Sequence, residues 1–267
     1  MSAPAVAPRT SLILIIVAFF LGVAAYAALG ACPGAETMGF VPVLAFALAA
    51  CIALAITPFA MCLAFQTGLV NADGDHPTPT LGGPPVLVAF ALAAVAGLSV
   101  LPDGAVSTEL RNQLLAMLCG GALLMAVGVA HDKRKLSVPV RLAVQVVAAA
   151  VMVHFGVVTG LLPTTTLGPA GDTLLTMIWI VGVTHAICYV DRWDGLASAV
   201  VVAAAVARGA VALSDDQPAV AIASLCLAGA AAGFLKYNFR PAAACLGNSG
   251  ATFLGYTLAC TCIIGTG

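Results

Sequence analysis

Long apolar runs separated by short polar segments make up most of the chain. The runs approach or exceed the roughly 20 apolar residues that a helix needs to cross a bilayer. They predict nine helices, over residues 11–29, 38–70, 84–101, 114–130, 142–162, 173–190, 199–213, 219–235 and 252–267. The pattern therefore predicts an all-α fold, a polytopic transmembrane bundle of about nine helices in a single domain that spans residues 1–267.

The composition excludes a soluble protein. Of 267 residues, 62% are hydrophobic and 8% are charged, whereas a soluble domain carries about a quarter charged residues. The net charge of -1 gives no general attraction to nucleic acid, so no nucleic-acid partner is expected. The nine cysteines fall mostly inside apolar runs and without metal-ligand spacing, which is typical of small buried side chains rather than of disulfides.

The first apolar run has two interpretations. Arg9 precedes it and small residues follow it, as in a signal peptide. Its apolar core is long for a signal peptide, however, and eight further spans follow. We therefore expect a retained helix over residues 11–29.

The basic residues predict the orientation in the membrane. Strict alternation of nine helices places eight of the ten on one side, namely Arg9, Lys133, Arg134, Lys135, Arg141, Arg192, Lys236 and Arg240. Cytoplasmic loops are enriched in Lys and Arg. This predicts a cytoplasmic N-terminus and an extracytoplasmic C-terminus.

Polar, glycine-rich or ionisable segments collect on this inner side, at residues 71–83, 131–135, 191–195 and 236–250. They predict a site that is open to the cytosol and to lipid. A transporter is the alternative, but transporters place ionisable groups near the midplane of the membrane. Few ionisable residues lie within predicted spans; of these, we expect Arg208 to extend to the outer interface and His154 to be interfacial.

The inner segments carry four motif elements, the last of them in two parts. They are Thr78-Pro-Thr-Leu-Gly-Gly83, Gly128-Val-Ala-His131-Asp132, Asp191-Arg-Trp-Asp194-Gly-Leu-Ala, and Asn238-Phe-Arg-Pro-Ala with Gly247-Asn248-Ser-Gly-Ala-Thr-Phe-Leu-Gly255. In the same order they resemble the Pro-x-x-Gly-Gly, Gly-x-x-Asp-Asp, Asp-Gly-x-Asp-Gly-Leu-Ala, Asn-x-x-Pro-Ala and Gly-Asp-x-Gly-Ser-x-x-x-Gly elements of the polyprenyl-phosphate N-acetylhexosamine-1-phosphate transferases, glycosyltransferase family 4. The resemblance covers about residues 68–267 and leaves 11–29 as an extra helix.

The resemblance implies a membrane enzyme of the bacterial inner membrane. Such an enzyme transfers HexNAc-1-phosphate from a UDP-sugar to polyprenyl (undecaprenyl) phosphate and releases UMP, in the synthesis of cell-wall or surface-polysaccharide lipid intermediates. Because two anions must meet, Mg²⁺ and positioned cations have to offset their repulsion. The expected partners are the polyprenyl phosphate, the UDP-HexNAc and the membrane. A homodimer is the expected assembly.

The resemblance also assigns residues. The catalytic aspartates implied by it are Asp132, Asp191 and Asp194, and the substrate-binding residues are Lys135, Asn238, His131 and His76. Asp191 and Asp194 are three positions apart and would share one face if the helix before them continued. The basic segment that contains Lys135 has a second interpretation, as a determinant of orientation and a contact for lipid headgroups.

The chain departs from the family pattern at positions that matter for chemistry. Asn248 and Cys188 stand at metal-ligand positions of the family, and His131 replaces the first aspartate of the pair. A hard cation binds carboxylate oxygen better than an amide or a thiol. Arg192 replaces a glycine and His185 an asparagine, and a soft-metal site of His131, His185 and Cys188 is a less favoured interpretation than drift.

These losses lead to the hypothesis of an impaired or inactive enzyme. A non-catalytic homologue that binds polyprenyl phosphate or nucleotide sugar, or that partners an active transferase, is the alternative. By resemblance, later helices and a His-rich loop would follow residue 267, so the chain is expected to be either a fragment or a reduced homologue. The motifs favour the GlcNAc branch slightly over the MurNAc-pentapeptide branch.

Overall fold

The structure is a computed structural model that describes residues 39–71, 77–102, 104–162 and 168–265. The predicted helix at 11–29 and the predicted substrate residue His76 lie outside these ranges. Eight helices are described: α1 (Val41–Thr67), α2 (Gly83–Ser99), α3 (Thr108–Arg134), α4 (Val138–His154), α5 (Gly168–Val190), α6 (Leu196–Ser214), α7 (Pro218–Asn238) and α8 (Gly247–Ile263). A two-residue antiparallel pair, β1 (Val70–Asn71) and β2 (Thr78–Pro79), lies between α1 and α2.

The prediction of an all-α transmembrane bundle is confirmed. Each described helix matches one apolar run, and five of them, α1, α3, α5, α6 and α7, are long and apolar enough to cross a membrane. Helix α3 begins six residues before its predicted start, because the Ser107 side chain accepts a hydrogen bond from the Leu110 N–H and caps the helix. Helix α4 ends at His154 rather than at residue 162, since Gly156 turns the chain with φ +82°.

Helix α7 lies at the centre of the bundle and packs against α1, α2 and α6. Gly229 and Gly233 bring its backbone directly against α1, where a Cβ at either position would collide with the carbonyl oxygens of Phe46 and Ala50. Membrane helices use such small residues to pack closely, because lipid supplies no hydrophobic force between helices. Gly229 and Gly233 therefore set the close approach of α7 and α1.

The helix ends define two ends of the bundle. Helix α3 has 27 residues, so its termini are about 40 Å apart and lie near opposite faces of a membrane. Because successive helices alternate in direction, the linkers α1–α2, α3–α4, α5–α6 and α7–α8 lie at the end that contains Asp132. We call it the carboxylate end. The β1–β2 pair belongs to it, since the Cys245 N–H donates to the Pro79 carbonyl at 2.8 Å.

Candidate active site

Asp132 lies at the start of helix α8 and caps it from the neighbouring helix α3. Its Oδ1 accepts hydrogen bonds from the backbone N–H of Asn248 at 3.3 Å and from the Asn248 side-chain amide at 2.9 Å. Its Oδ2 accepts from the Ser249 N–H at 3.4 Å. The first N–H groups of a helix lack partners within the helix, and its positive end favours a negative charge. The carboxylate that the sequence assigns to catalysis therefore holds the first turn of α8.

Glycines allow the backbones at the carboxylate end to come this close. A Cβ on Gly128 of α3 would collide with the Cα of Ser249, and a Cβ on Gly83 of α2 would lie 2.8 Å from the Gly250 nitrogen. The glycines of two sequence motifs thus have a packing role, because they let α2 and α3 pack directly against the first turn of α8. This packing brings the segments 77–83, 131–135 and 236–250 together.

A chain of hydrogen bonds continues from Asp132 through Asn248 to helix α4. Arg141 donates from Nη2 to Asn248 Oδ1 at 2.8 Å. Its Nη1 lies 3.3 Å from His131 Nε2, and His131 Nδ1 lies 3.1 Å from the Leu136 carbonyl oxygen. Because a carbonyl oxygen only accepts, Nδ1 carries the proton, and Nε2 is free to accept from Arg141. We call Asp132, Asn248, Arg141 and His131 the Arg141 network.

Asp191 and Asp194 lie in the turn between α5 and α6. The helix does not continue as a shared helical face would require, because α5 ends at Val190 and residues 191–195 form a turn. Gly195, with φ +75°, ends this turn and is the N-cap residue of α6. The two carboxylates are therefore positioned by turn geometry, and Asp194 is exposed whereas Asp191 is partly buried.

The aspartates act on one another through their charges. Burial, followed by the nearby carboxylates of Asp132 and Asp194, raises the pKa of Asp191 to about 8. Within the described part of the chain, the side chains of Asp191 and Asp194 have no hydrogen-bond or ion-pair partner. Unpaired carboxylates that raise one another's pKa are electrostatically costly, and a bound cation lowers that cost.

The fit of Mg²⁺ to this site is partial. Mg²⁺ retains water ligands and is commonly bound through one or two carboxylates together with substrate phosphates. The free oxygens of Asp191 and Asp194 meet that need. Asn248 does not, because its Oδ1 accepts from Arg141 and its amide nitrogen donates to Asp132. Cys188 is partly buried one turn before Asp191 and offers sulfur, a poor ligand for this ion.

The other residues assigned from sequence differ in their surroundings. Asn238 is buried, accepts from Ser198 Oγ at 3.1 Å and donates to the Ala244 carbonyl at 3.1 Å, so its amide fixes the end of α7. Lys135 is exposed and ends α3 with φ +50°. His185 is exposed and bonds to Val181 of its own helix. No group of three or more His, Cys, Asp or Glu side chains is placed to hold a metal ion, as far as the described residues extend.

Arg141 was missed as a site residue by the sequence analysis, which counted it only as a basic residue of a loop. A signal was present. The buried face of α4 is formed by Gln145, Ala148, Ala149 and Met152, and Arg141 precedes Gln145 by one turn. A cation that continues the buried face of a helix points into the protein rather than into solvent.

Comparisons with known proteins identify the family of the chain. Residues 114–266 match the model of glycosyl transferase family 4. The chain is 31% identical over 233 residues to a probable undecaprenyl-phosphate N-acetylglucosaminyl 1-phosphate transferase of Bacillus subtilis, covering 84% of this chain and 63% of that protein.

Two further relatives extend the comparison. The chain is 32% identical over 243 residues to a decaprenyl-phosphate N-acetylglucosaminephosphotransferase of Mycobacterium tuberculosis, covering 82% and 60% of the two chains. It is 38% identical over 82 residues, or 31% of this chain and 26% of the other, to a phospho-N-acetylmuramoyl-pentapeptide-transferase of Moorella thermoacetica. The chain thus spans about three fifths of the length of the first two relatives. It is an integral membrane protein, and it belongs to glycosyl transferase family 4.

Proposed function

We propose that this protein transfers HexNAc-1-phosphate from a UDP-sugar to polyprenyl phosphate. An oxygen of the lipid phosphate attacks the sugar-linked phosphorus of the donor, the bond from that phosphorus to the bridging oxygen breaks, and UMP leaves. Polyprenyl-diphospho-HexNAc is the other product. Relatives named for GlcNAc-1-phosphate transfer at 31% and 32% identity support this reaction. They also favour GlcNAc over MurNAc-pentapeptide as the transferred group.

The observation that carries the proposal is the position of Asp132, Asp191 and Asp194 at one end of a membrane bundle. Asp191 and Asp194 have free carboxylate oxygens, and the charges of Asp132 and Asp194 act on Asp191. These two residues would hold Mg²⁺, which supplies positive charge to the diphosphate when it is bound. Asp132 anchors α8 beside them, and the anionic substrates meet at this end of the bundle.

The site faces the cytoplasm in this proposal, where UDP-sugars are present. The excess of basic residues at the carboxylate end supports this orientation. Single cysteines introduced at Arg134 and at Asp215, in a variant without the other cysteines, lie at opposite ends of the bundle. In intact cells, an impermeant maleimide is expected to label position 215 and to spare position 134, and the reverse labelling would overturn the orientation.

A non-catalytic homologue is the second candidate, and the Arg141 network favours it. Position 248 carries an amide whose polar atoms bond to Arg141 and Asp132, so it adds no charge to a metal site. Such a protein would bind polyprenyl phosphate or nucleotide sugar without turnover. The homodimer stays a prediction, to be tested by light scattering of the purified protein.

Release of UMP separates the two candidates. Purified protein in detergent is given UDP-GlcNAc, undecaprenyl phosphate and Mg²⁺, and UMP is measured for the wild type, Asp191→Asn and, as a control at the opposite end, Asp215→Asn. Release that is lost only in Asp191→Asn supports the transferase. Binding of undecaprenyl phosphate without release, unchanged in Asp194→Asn, supports the non-catalytic homologue, and the absence of both release and binding contradicts both proposals.

A further inference from the structure

Among the Lys and Arg side chains that the structure describes at the carboxylate end, Arg141 is partly buried whereas the others are exposed. Helix α4 presents most of its side chains outward, including Val140, Leu142 and Val147, which are exposed. Arg141 is partly buried instead and continues the face of Gln145, which is 3% exposed. Its guanidinium crosses to the first turn of α8 and bonds to Asn248. The charge is therefore directed at the site rather than at lipid headgroups.

The two acceptors that hold Arg141 are both neutral. His131 is fixed as an acceptor by its own bond to the Leu136 carbonyl, and Asn248 accepts through its amide oxygen. Neutral acceptors fix the direction of a guanidinium without cancelling its charge. An aspartate at either position would instead form an ion pair with Arg141 and neutralise it.

The guanidinium retains donors for a ligand. It has five N–H groups, of which the bonds to His131 and Asn248 use two within the described part of the chain. The planar arrangement of the remaining donors matches two oxygens of one phosphate group. The fixed guanidinium thus keeps positive charge for a phosphate group at the same end of the bundle as the unpaired carboxylates of Asp191 and Asp194.

We propose that Arg141 binds a substrate phosphate in this chain without the help of a divalent cation, and that His131 and Asn248 are the positioning residues that hold it. The proposal rests on the proposed function for the class of ligand. The nucleotide donor and the lipid acceptor both carry phosphoryl oxygens, and either could be the group that Arg141 binds. In this arrangement a fixed guanidinium takes over part of the role that a metal ligand at position 248 would serve.

Calorimetric titration with two phosphate ligands in EDTA tests the proposal. UDP represents the donor, and farnesyl phosphate in the same detergent represents the acceptor. The variants are Arg141→Gln, Arg141→Lys and, as a matched removal of one exposed positive charge at the end of α3, Arg134→Gln. Arg141→Gln is expected to weaken at least one ligand tenfold or more, Arg141→Lys to weaken it less, and Arg134→Gln to leave both within twofold of the wild type.

The ligand that weakens identifies the phosphate that Arg141 binds. If both ligands bind Arg141→Gln as tightly as the wild type in EDTA, the proposal is wrong. Size-exclusion profiles and melting temperatures establish whether each variant is folded. If Arg141→Gln does not fold, the affinities of Arg141→Lys decide the test.

Asn248→Asp provides a readout that a merely structural bond would not change. The new carboxylate is expected to neutralise Arg141, weakening the affected ligand in EDTA, and to strengthen Mn²⁺ binding as followed by electron paramagnetic resonance. If Asn248→Asp changes neither the affinity for the phosphate ligand nor the affinity for Mn²⁺, Asn248 does not position Arg141. Wild-type protein that binds the ligands only with Mg²⁺ contradicts this inference alone, whereas wild-type protein that binds neither under any condition contradicts the proposed function as well.

Discussion

The carboxylate of Asp132 accepts two hydrogen bonds from Asn248, one from its backbone N–H at 3.3 Å and one from its side-chain amide at 2.9 Å. The two residues belong to different helices and are 116 positions apart in the sequence. This contact fixes α8 against α3 and sets the shape of the carboxylate end. A residue of a motif associated with catalysis thus also supports the fold.

Asp132→Asn is expected to lower the stability of the folded protein. The amide keeps one acceptor but loses the charge that favours the start of α8, and its NH₂ group faces the N–H of Ser249. Loss of a helix cap costs about 0.5–2 kcal/mol. Thermal melting in detergent measures the change, with Asp215→Asn as the exposed control, and equal melting temperatures for the two variants would contradict the capping role.

Gly128→Ala is expected to be more disruptive, because its Cβ would collide with the backbone of Ser249. Helices α3 and α8 would have to separate, and overpacking of this kind costs about 1–3 kcal/mol. Gly182→Ala is the matched control, since a Cβ at Gly182 meets no atom within 4 Å. We expect a lower melting temperature for Gly128→Ala and no loss for Gly182→Ala. A similar response of both variants would contradict the close approach.

Asp191 makes the stability of the metal-free protein depend on pH. Its pKa rises from an ordinary value near 3.8 to about 8 in the folded state, so the folded protein favours the neutral acid. This contribution is fully present below pH 4 and is lost as the pH rises through about 8. Between pH 6 and pH 9, the melting temperature of the wild type in EDTA is expected to fall by several degrees more than that of Asp191→Asn, since ~1 kcal/mol corresponds to about 2–4 °C for a protein of this size. If the melting temperatures of the two proteins fall by the same amount between pH 6 and pH 9, Asp191 does not have the raised pKa described here.

Arg208 bonds to the C-terminus of α8 at the opposite end of the bundle. It donates from Nε to the Thr261 carbonyl at 2.9 Å and from Nη2 to the Ile264 carbonyl at 2.8 Å, at the C-terminus of α8. Arg208→Gln is expected to lower stability by about 1–3 kcal/mol, because charged hydrogen bonds to carbonyls would be lost. Affinity for UDP should stay unchanged. A stable variant with altered ligand binding would contradict this structural role and would favour the transporter.

The sequence predicted the helices well and the arrangement of the site less well. Apolar runs such as the one that forms α7 are long, and the bilayer allows few alternatives to a helix, so α7 could be predicted. The start of α3 depends on a cap at Ser107, and the turn that holds Asp191 and Asp194 depends on Gly195; the hydrophobic pattern contains neither. The aspartates could be found because their motif is local. The contact of Arg141 with Asn248 joins residues 107 positions apart and depends on how α3 packs against both α4 and α8.

Incorporation of labelled HexNAc-1-phosphate into lipid is the decisive test of the transferase reaction. Membranes that contain the protein are given undecaprenyl phosphate, Mg²⁺ and UDP-GlcNAc labelled in the sugar, and the label is followed into butanol-extractable diphospholipid. Labelled lipid is expected with the wild type and with Asp215→Asn, and about a hundredfold less with Asp191→Asn, because loss of a group that acts in the transition state costs factors of this order. Labelled lipid at the wild-type rate from Asp191→Asn, in membranes without another transferase, would contradict it.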